Sequence, residues 1–227
     1  MVSLQPTVVE VRSARDFLQY VLDNHAPPST LVVCSSKADF LETLQSSDDG
    51  DDPVDRAEGV EEEQSSPKDS VNERVKRFAP TLRLLSRSRT VKLAFCPDIT
   101  HLRAYLACIN TDTSPRGANE LAFTGALHPR DAAPILAILN PIELHRPTSA
   151  FSAQGLNRTL SIAVEAAYRI GHKLVLAETA RNAWLEELSL LNVTNRRLGE
   201  LAVGRTVTPK AIAQHWCMFE RHVPSEP

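Results

Sequence analysis

Residues 135–140 have the sequence ILAILN, and this stretch decides the fold. The apolar run from Ile135 to Leu139 has the length of a strand and is far too short to span a membrane. A strand that is apolar on both faces is typical of the centre of a parallel sheet covered by helices on both sides. Asn140 follows at the carboxyl end of the predicted strand, the edge at which open parallel sheets bind ligands.

Helix and strand patterns alternate on both sides of this run. Strands are predicted for residues 31–34, 91–96, 135–139 and 173–178, and helices for residues 11–22, 38–44, 99–109 and 152–170. Ser13 is the expected N-cap of the first helix and Gly171 the expected C-terminal cap of the last. Shorter strands and turns are predicted for residues 184–220. The alternation predicts an α/β fold with a mostly parallel sheet and helices on both faces.

The length and composition fit one domain over residues 1–227. The chain is 42% hydrophobic, which allows one sizeable core, and two full domains would be cramped. The net charge of −3 is too small to indicate a class of partner. No apolar run approaches the roughly 20 residues of a membrane span, and we expect neither a signal peptide nor contact with a membrane.

Two segments differ from the rest in composition. Nine acidic residues and one basic residue lie between Asp48 and Glu63, and residues 46–72 are predicted to be a disordered acidic insert. Residues 111–130 are rich in Thr, Ser, Pro, Gly and Asn and are predicted to be a loop.

The charge is reversed immediately after the acidic insert. An amphipathic basic helix is predicted here, with Val75, Phe78, Ala79, Leu82 and Leu85 as its apolar stripe. Its cations could contact the phosphates of DNA or a protein partner, although a solvated helix face is the plainer alternative. The candidate contact residues are Arg74, Lys76, Arg77, Arg83, Arg87, Arg89 and Lys92.

Sequence signals for catalysis or for a cofactor are missing. None of the eight glycines is followed by lysine, so the sequence contains no glycine-rich phosphate-binding loop of the GxxxxGK[ST] type. The seven histidines show no zinc-binding spacing, and the four cysteines form no CxxC pair and are expected to be reduced thiols. We therefore expect no catalytic residue, cofactor, metal ion or small-molecule substrate.

Two polar positions leave alternatives open. Ser152 could pair with His145 in a nucleophilic site, but the ordinary role of a serine before a long helix is that of its N-cap, as for Ser152 or Ser149. Asn140 lies where a phosphoryl-transfer enzyme would place an aspartate to bind magnesium, and its plainer role is that of a polar residue at a strand end.

The order of these elements resembles the RecA-like recombinase-paralogue superfamily. STLVVCSS (29–36) resembles the strand that follows the phosphate-loop helix, and VKLAFC (91–96) resembles the next strand. ILAILN (135–140) is similar to the strand that normally ends in the magnesium-binding aspartate, where this chain has Asn140. The resemblance covers residues 28–220. It departs from the family at both catalytic elements and therefore implies a pseudo-ATPase.

Members of this superfamily that have lost these motifs act as assembly subunits. The resemblance implies a non-catalytic scaffold in a nuclear complex for DNA repair or homologous recombination, with protein partners and with DNA as a candidate partner. One alternative is a structural subunit of an Elongator-type assembly for tRNA modification. The nucleus is the expected location, with the cytoplasm as the alternative. A second alternative is an enzyme whose site has no recognisable motif.

Overall fold

The computed structural model describes residues 4–46, 82–110, 133–190 and 206–221. Residues 47–72 of the predicted acidic insert, the whole predicted loop at 111–130, and the basic residues Arg74, Lys76 and Arg77 lie outside the described residues.

Eight strands are present in the described part of the chain. They are β1 (Thr7–Glu10), β2 (Ala26–Val33), β3 (Val91–Phe95), β4 (Pro134–Leu139), β5 (Lys173–Ala177), β6 (Leu188–Ser189), β7 (Thr206–Val207) and β8 (Met218–Arg221). Six of them form one parallel sheet in the order β3–β2–β4–β5–β1–β8, and β6 pairs with β7 antiparallel. The predicted α/β class is confirmed.

Seven α-helices and one 3-10 helix accompany the strands in the same ranges. They are α1 (Ala14–Asn24), α2 (Lys37–Ser46), α3 (Leu82–Ser88), α4 (Ile99–Cys108), α5 (Pro141–His145), α6 (Ala153–Ile170), α7 (Pro209–Ala213) and the 3-10 helix (Ala183–Leu185). One face of the sheet packs on α4, α5, α6 and α7, and the other packs on α1 and α2. Helices on both faces are therefore confirmed.

Strand β4 lies inside the sheet, as ILAIL predicts. It pairs with β2 on one side and with β5 on the other, and Leu136, Ala137 and Leu139 are completely buried. Leu136 and Ile138 belong to the core under α4 and α6, whereas Ile135, Ala137 and Leu139 belong to the core under α1. Both faces of the strand are apolar because each face is covered by a different layer of helices.

Strand β1 was missed by the sequence reasoning, although it lies between β5 and β8. Thr7, Val8 and Val9 are buried, at 1% exposure or less. The strand has only four residues, so its pattern shows no measurable period. A contiguous run of β-branched residues was the signal that could have identified it.

The predicted helix caps are confirmed. Ser13 forms a capping box with Asp16, in which each side chain accepts the other residue's backbone N–H at 3.1 Å. The Ser152 hydroxyl oxygen accepts the N–H of Gly155 at 3.1 Å and so caps α6. Gly171 ends α6 in the left-handed region, with φ of 69°, a conformation in which a side chain is strained.

The predicted apolar stripe of the basic helix is wrong in the part that the structure describes, and Val75, Phe78 and Ala79 lie outside the described residues. In α3, Leu82 and Leu85 of the predicted apolar stripe are exposed at 86% and 46%, and Arg87 is buried. Arg87 faces the protein interior instead of these leucines. Its Nη1 donates to the Leu22 carbonyl at 3.0 Å and to Asp23 at 2.9 Å, at the end of α1.

A second arginine stabilises a helix end on the other face of the sheet. Arg169 of α6 donates to the carbonyl oxygens of Leu106 and Ala107 at 2.8 and 3.1 Å, in the last turn of α4. The last carbonyls of a helix have no partner within the helix and carry partial negative charge. A guanidinium at this end donates hydrogen bonds to these carbonyls and also offsets their negative charge. Arg87 does the same for α1, and both arginines join neighbouring elements.

Gly155 lies in the first turn of α6 against the preceding loop. A Cβ atom at this position would lie 2.0 Å from the Ala150 carbonyl oxygen, which cannot move without the backbone. Replacement by alanine in an open helix would stabilise it by about 1 kcal/mol. At Gly155, the clash with the Ala150 carbonyl oxygen makes the same replacement destabilising.

We expect Gly155→Ala to lower the free energy of unfolding by about 2 kcal/mol, the usual cost of overpacking a closed site. Urea denaturation followed by circular dichroism measures the change. Gln154→Ala is the matched control, since Gln154 is an exposed neighbour in the same turn, and it should change stability by less than about 0.5 kcal/mol. A Gly155→Ala protein as stable as the wild type would contradict the close contact.

Candidate functional site at the carboxyl edge of the sheet

The carboxyl ends of the parallel strands bring several polar residues to one edge. Cys34 follows β2, Cys96 follows β3, Asn140 follows β4 and Glu178 follows β5. The residues of β1 lead into Val11 and the short turn before α1. In open parallel sheets this edge is where ligands bind, so it is the candidate functional site.

The turn between β1 and α1 is where the RecA-like resemblance would place a phosphate-binding loop. It consists of Val11, Arg12 and Ser13 and contains no glycine. The capping box uses the backbone N–H groups of Ser13 and Asp16, which lie at the start of the helix. A phosphate cradle needs several such groups converging on a ligand, and here two of them bind side chains of the turn itself.

Asn140 joins the ends of two strands. Its side-chain oxygen accepts the backbone N–H of Thr179 at 2.9 Å and the Thr179 hydroxyl at 3.2 Å, and its own N–H donates to Ala177 at 2.8 Å. The residue has φ of 60°, in the left-handed region that asparagine tolerates better than most residues. The plainer of the two roles considered for Asn140, a polar residue at a strand end, matches these contacts.

Glu178 was not singled out from the sequence, and it is the most unusual residue of the edge. It is 4% exposed, its Oε1 accepts the backbone N–H of Ile142, and the neighbouring Glu143 N–H also favours the carboxylate. Helix α5 receives no side-chain cap from Asn140, so Glu178 caps it from the neighbouring strand. Its other oxygen, Oε2, has no hydrogen-bond partner among the described residues. An acidic residue directly after the apolar run LVLA (174–177) was the available signal.

The environment of Glu178 favours its neutral form. Burial raises the pKa of Glu178 to about 8, against the opposing effect of the two backbone N–H groups. The nearby Glu143 carboxylate raises this pKa further, and Arg146 lowers it. A carboxyl group held neutral in a fold is either a catalytic acid or a structural hydrogen-bonding group, and the contact with α5 is of the structural kind.

Two thiols lie next to each other at the same edge. Cys34 and Cys96 are buried and not bonded to each other, and they face the same core as α4. Burial raises the pKa of Cys34 well above its usual range, with Glu178 and Cys96 acting in the same direction, and burial also raises the pKa of Cys96. Both are protonated at neutral pH and are poor nucleophiles. Cys217 is also buried, whereas Cys108 is exposed.

His145 is part of a buried hydrogen-bond network and is not hydrogen-bonded to Ser152. Its Nδ1 lies 2.7 Å from the Pro141 carbonyl, which can only accept, so Nδ1 carries the proton and Nε2 accepts from the Thr159 hydroxyl at 2.9 Å. Arg103 donates to Thr159 at 3.0 Å and to the Gly155 carbonyl at 2.9 Å. Burial and Arg103 lower the pKa of His145, so the network is held by a neutral ring.

Four of the predicted basic contact residues, Arg83, Arg87, Arg89 and Lys92, lie in the described part of the chain. Arg87 is buried and engaged at the end of α1, so it is not available to phosphates. Arg83 lies within α3. Arg89 and Lys92 are exposed, and Lys92 lies 5.8 Å from the centre of the Tyr105 ring. Of the seven candidates, Arg89 and Lys92 are those whose exposed side chains the structure describes.

Comparison with known proteins adds no relative to these observations. No protein-family model, curated protein or solved structure shows significant similarity to the chain. Within residues 4–46, 82–110, 133–190 and 206–221, no three His, Cys, Asp or Glu side chains are grouped so that they could hold a metal ion. No helix in these ranges is long and apolar enough to cross a membrane.

The raised pKa of Glu178 predicts a specific dependence of stability on pH. A folded-state pKa of about 8, above the unfolded value of 4.5, means that the folded protein holds the proton more tightly. The stabilisation is therefore complete below about pH 4.5 and is lost as the pH rises to about 8, by up to ~1.4 kcal/mol per pH unit. In the Glu178→Gln protein this loss should be absent.

Urea denaturation of both proteins between pH 5 and 9 measures the difference. Glu42→Gln, at an exposed position of α2, is the control for loss of a carboxylate and should keep the wild-type slope. Equal slopes for the wild type and Glu178→Gln would show that Glu178 does not titrate in this range.

Proposed function

We propose that this chain is a non-catalytic RecA-like subunit of a nuclear complex for DNA repair or homologous recombination. It acts through contacts with protein partners, and DNA is its second candidate partner. The observation that carries the proposal is the closure of the carboxyl edge by hydrogen bonds within the chain: Asn140 with Thr179, and Glu178 with α5. The parallel sheet covered on both faces is consistent with a RecA-like architecture.

The closed edge favours a structural role over phosphoryl transfer. In an ATPase of this architecture the edge would hold phosphates on backbone N–H groups and magnesium on a carboxylate. Here the side-chain oxygen of Asn140 accepts hydrogen bonds from Thr179, and the buried carboxyl group of Glu178 accepts a backbone N–H of α5. These groups position strand ends and a helix, so they support an assembly function.

Three large apolar side chains are exposed on separate elements of the fold. Leu82, Tyr168 and Leu185 are exposed at 86%, 85% and 62%. Single exposed apolar residues are ordinary, and only a contiguous apolar patch marks a contact surface, so these three side chains do not by themselves argue for a partner.

Affinity purification of the full chain from nuclear extract of its native cells, followed by mass spectrometry, tests the proposal. Subunits of a recombination or repair complex should be recovered in stoichiometric amounts. Recovery of a tRNA-modifying assembly would overturn the repair role and support the Elongator-type alternative, and recovery of the chain alone would contradict an assembly function.

We expect no stabilisation of the chain by nucleotides. The chain has no glycine-rich phosphate-binding loop, so ATP and Mg²⁺ at millimolar concentration should leave the melting temperature unchanged in a thermal-shift measurement. Binding of a nucleotide to the folded state would raise the melting temperature by mass action. The nucleotide-free protein is the reference, and Mg²⁺ alone controls for the ion. A shift of several degrees that requires the nucleotide would revive an enzymatic function.

DNA binding, if it uses the exposed cations near β3, should depend on Arg89 and Lys92. We expect Arg89→Ala/Lys92→Ala to weaken binding of single-stranded DNA at low salt, with the salt slope falling by roughly 0.7 per lost phosphate contact. Fluorescence anisotropy over a salt series measures both quantities. Arg87 is left unchanged, since its removal would destabilise the end of α1.

The matched control removes the same charge elsewhere. Arg158→Ala/Arg181→Ala changes two exposed arginines on α6 and after β5 and should bind DNA like the wild type. Absence of DNA binding at low salt, or equal weakening in both double variants, would end the DNA part of the proposal.

A further inference from the structure

Strand β3 forms one edge of the parallel sheet. It pairs with β2 over five registered residue pairs, Ser29 with Val91 through Val33 with Phe95. On its other side, no strand of the described residues pairs with it. An open edge presents unpaired backbone groups to a further strand.

The backbone register determines which groups face outward. The N–H of Cys96, the residue after β3, donates to the Val33 carbonyl at 2.9 Å and therefore points toward β2. Successive residues of a strand direct their N–H and C=O groups to alternate sides. Lys92 and Ala94 thus bond to β2, and the outward groups belong to Val91, Leu93 and Phe95.

The side chains of these three outward-bonding residues share one face of the sheet. Leu93 is registered with Leu31, a buried residue of the core under α1 and α2, and Val91 and Phe95 pack against the same core. Leu93 itself is 49% exposed. An apolar side chain exposed at the centre of an open edge is what natural edge strands usually avoid, and pairing with another strand would cover it.

Strand β3 is complementary to itself when two copies run antiparallel. With Leu93 opposite Leu93 of a second copy, Val91 lies opposite Phe95 and Lys92 lies opposite Ala94. The apolar residues then meet apolar residues, and no lysine lies directly opposite another lysine. The outward N–H and C=O groups of Leu93 fall into the position in which opposed residues exchange two hydrogen bonds.

We propose that two copies of this chain associate through antiparallel pairing of their β3 strands, with the two-fold axis at Leu93. The sheets then join into one of twelve strands, counting six from each copy. A two-fold contact of this kind is closed and does not propagate. The exposed Leu82 and Leu85 of α3, which ends two residues before β3, lie close in the chain to the same contact.

The pairing is expected to be weak. Stable dimers bury about 1,200–2,000 Å² in total, more than a five-residue edge supplies alone. The dissociation constant of the dimer should therefore lie in the micromolar range. This self-association does not rest on the repair function, so a monomeric chain that still joins a nuclear complex would overturn only the dimer.

The decisive variant is Leu93→Pro. Its lost N–H points away from β2, and proline is tolerated at such a position of an edge strand, so the fold should survive and the dimer should be lost. Sedimentation velocity of the full chain between about 1 and 300 µM measures the association that such weak binding predicts. Ala94→Pro is the control: its N–H donates to β2, so it should lower the melting temperature, unlike Leu93→Pro.

Cross-linking tests the register without relying on proline. In a Cys108→Ser background, Leu93→Cys places two thiols on residues about 5.5 Å apart between Cα atoms, within disulfide range. Val91→Cys places them four residues apart along the strands, about 13 Å. Mild oxidation should give a covalent dimer with Leu93→Cys and not with Val91→Cys.

A wild-type chain that is monomeric at every concentration, a folded Leu93→Pro protein that still dimerises, or equal cross-linking of both variants would overturn the proposal.

Discussion

The burial of both faces of the parallel sheet is the constraint on which the rest of the structure depends. Strand β4 has neighbours on both sides and helices above and below, so five successive apolar side chains are removed from water. Each fully buried Leu or Ile contributes about 1.5–3 kcal/mol by transfer from water. A parallel sheet also requires a crossover between successive strands, and these crossovers supply the helices that cover it.

Covering a sheet with short helices creates many helix ends close to the core, and their polar groups must find partners. The chain solves this with side chains from neighbouring elements. Arg87 binds the end of α1, Arg169 binds the end of α4, and Glu178 binds the start of α5. Each contact satisfies backbone groups and also fixes the position of one element against another. Arginine and glutamate, which usually lie at the surface, therefore join neighbouring elements here.

The carboxyl edge of the sheet follows the same principle. Its polar side chains, Asn140 and Glu178, are directed to backbone groups of the adjoining strand and helix, and the thiols of Cys34 and Cys96 are buried and protonated. The edge is held together by contacts of the kind that a ligand would otherwise make. This arrangement favours the assembly role proposed for the chain. Partner contacts would then lie on other surfaces, such as the side of β3 that pairs with no strand of the described residues.

The sequence by itself determined the class of fold, the central strand, most helices and the caps Ser13, Ser152 and Gly171. These follow from local patterns: an apolar run such as ILAIL (135–139), a serine before a helix, or a glycine after one. It also showed that no glycine precedes a lysine. Strand β1 was not predicted because four residues are too few to show a periodic pattern, although the strand lies between β5 and β8 in the sheet.

Only the tertiary structure decided where charged side chains go. Arg87 and Arg89 are two residues apart in a basic segment, yet one is buried at the end of α1 and the other is exposed. Glu178 resembles any strand-end carboxylate until α5 is seen to begin beside it. Burial and hydrogen-bond partners depend on elements distant in the chain: 65 residues separate Arg87 from Leu22, and 36 separate Glu178 from Ile142. Local periodicity contains no information about such partners, and for that reason the sequence could predict the sheet but not the groups that hold its edges.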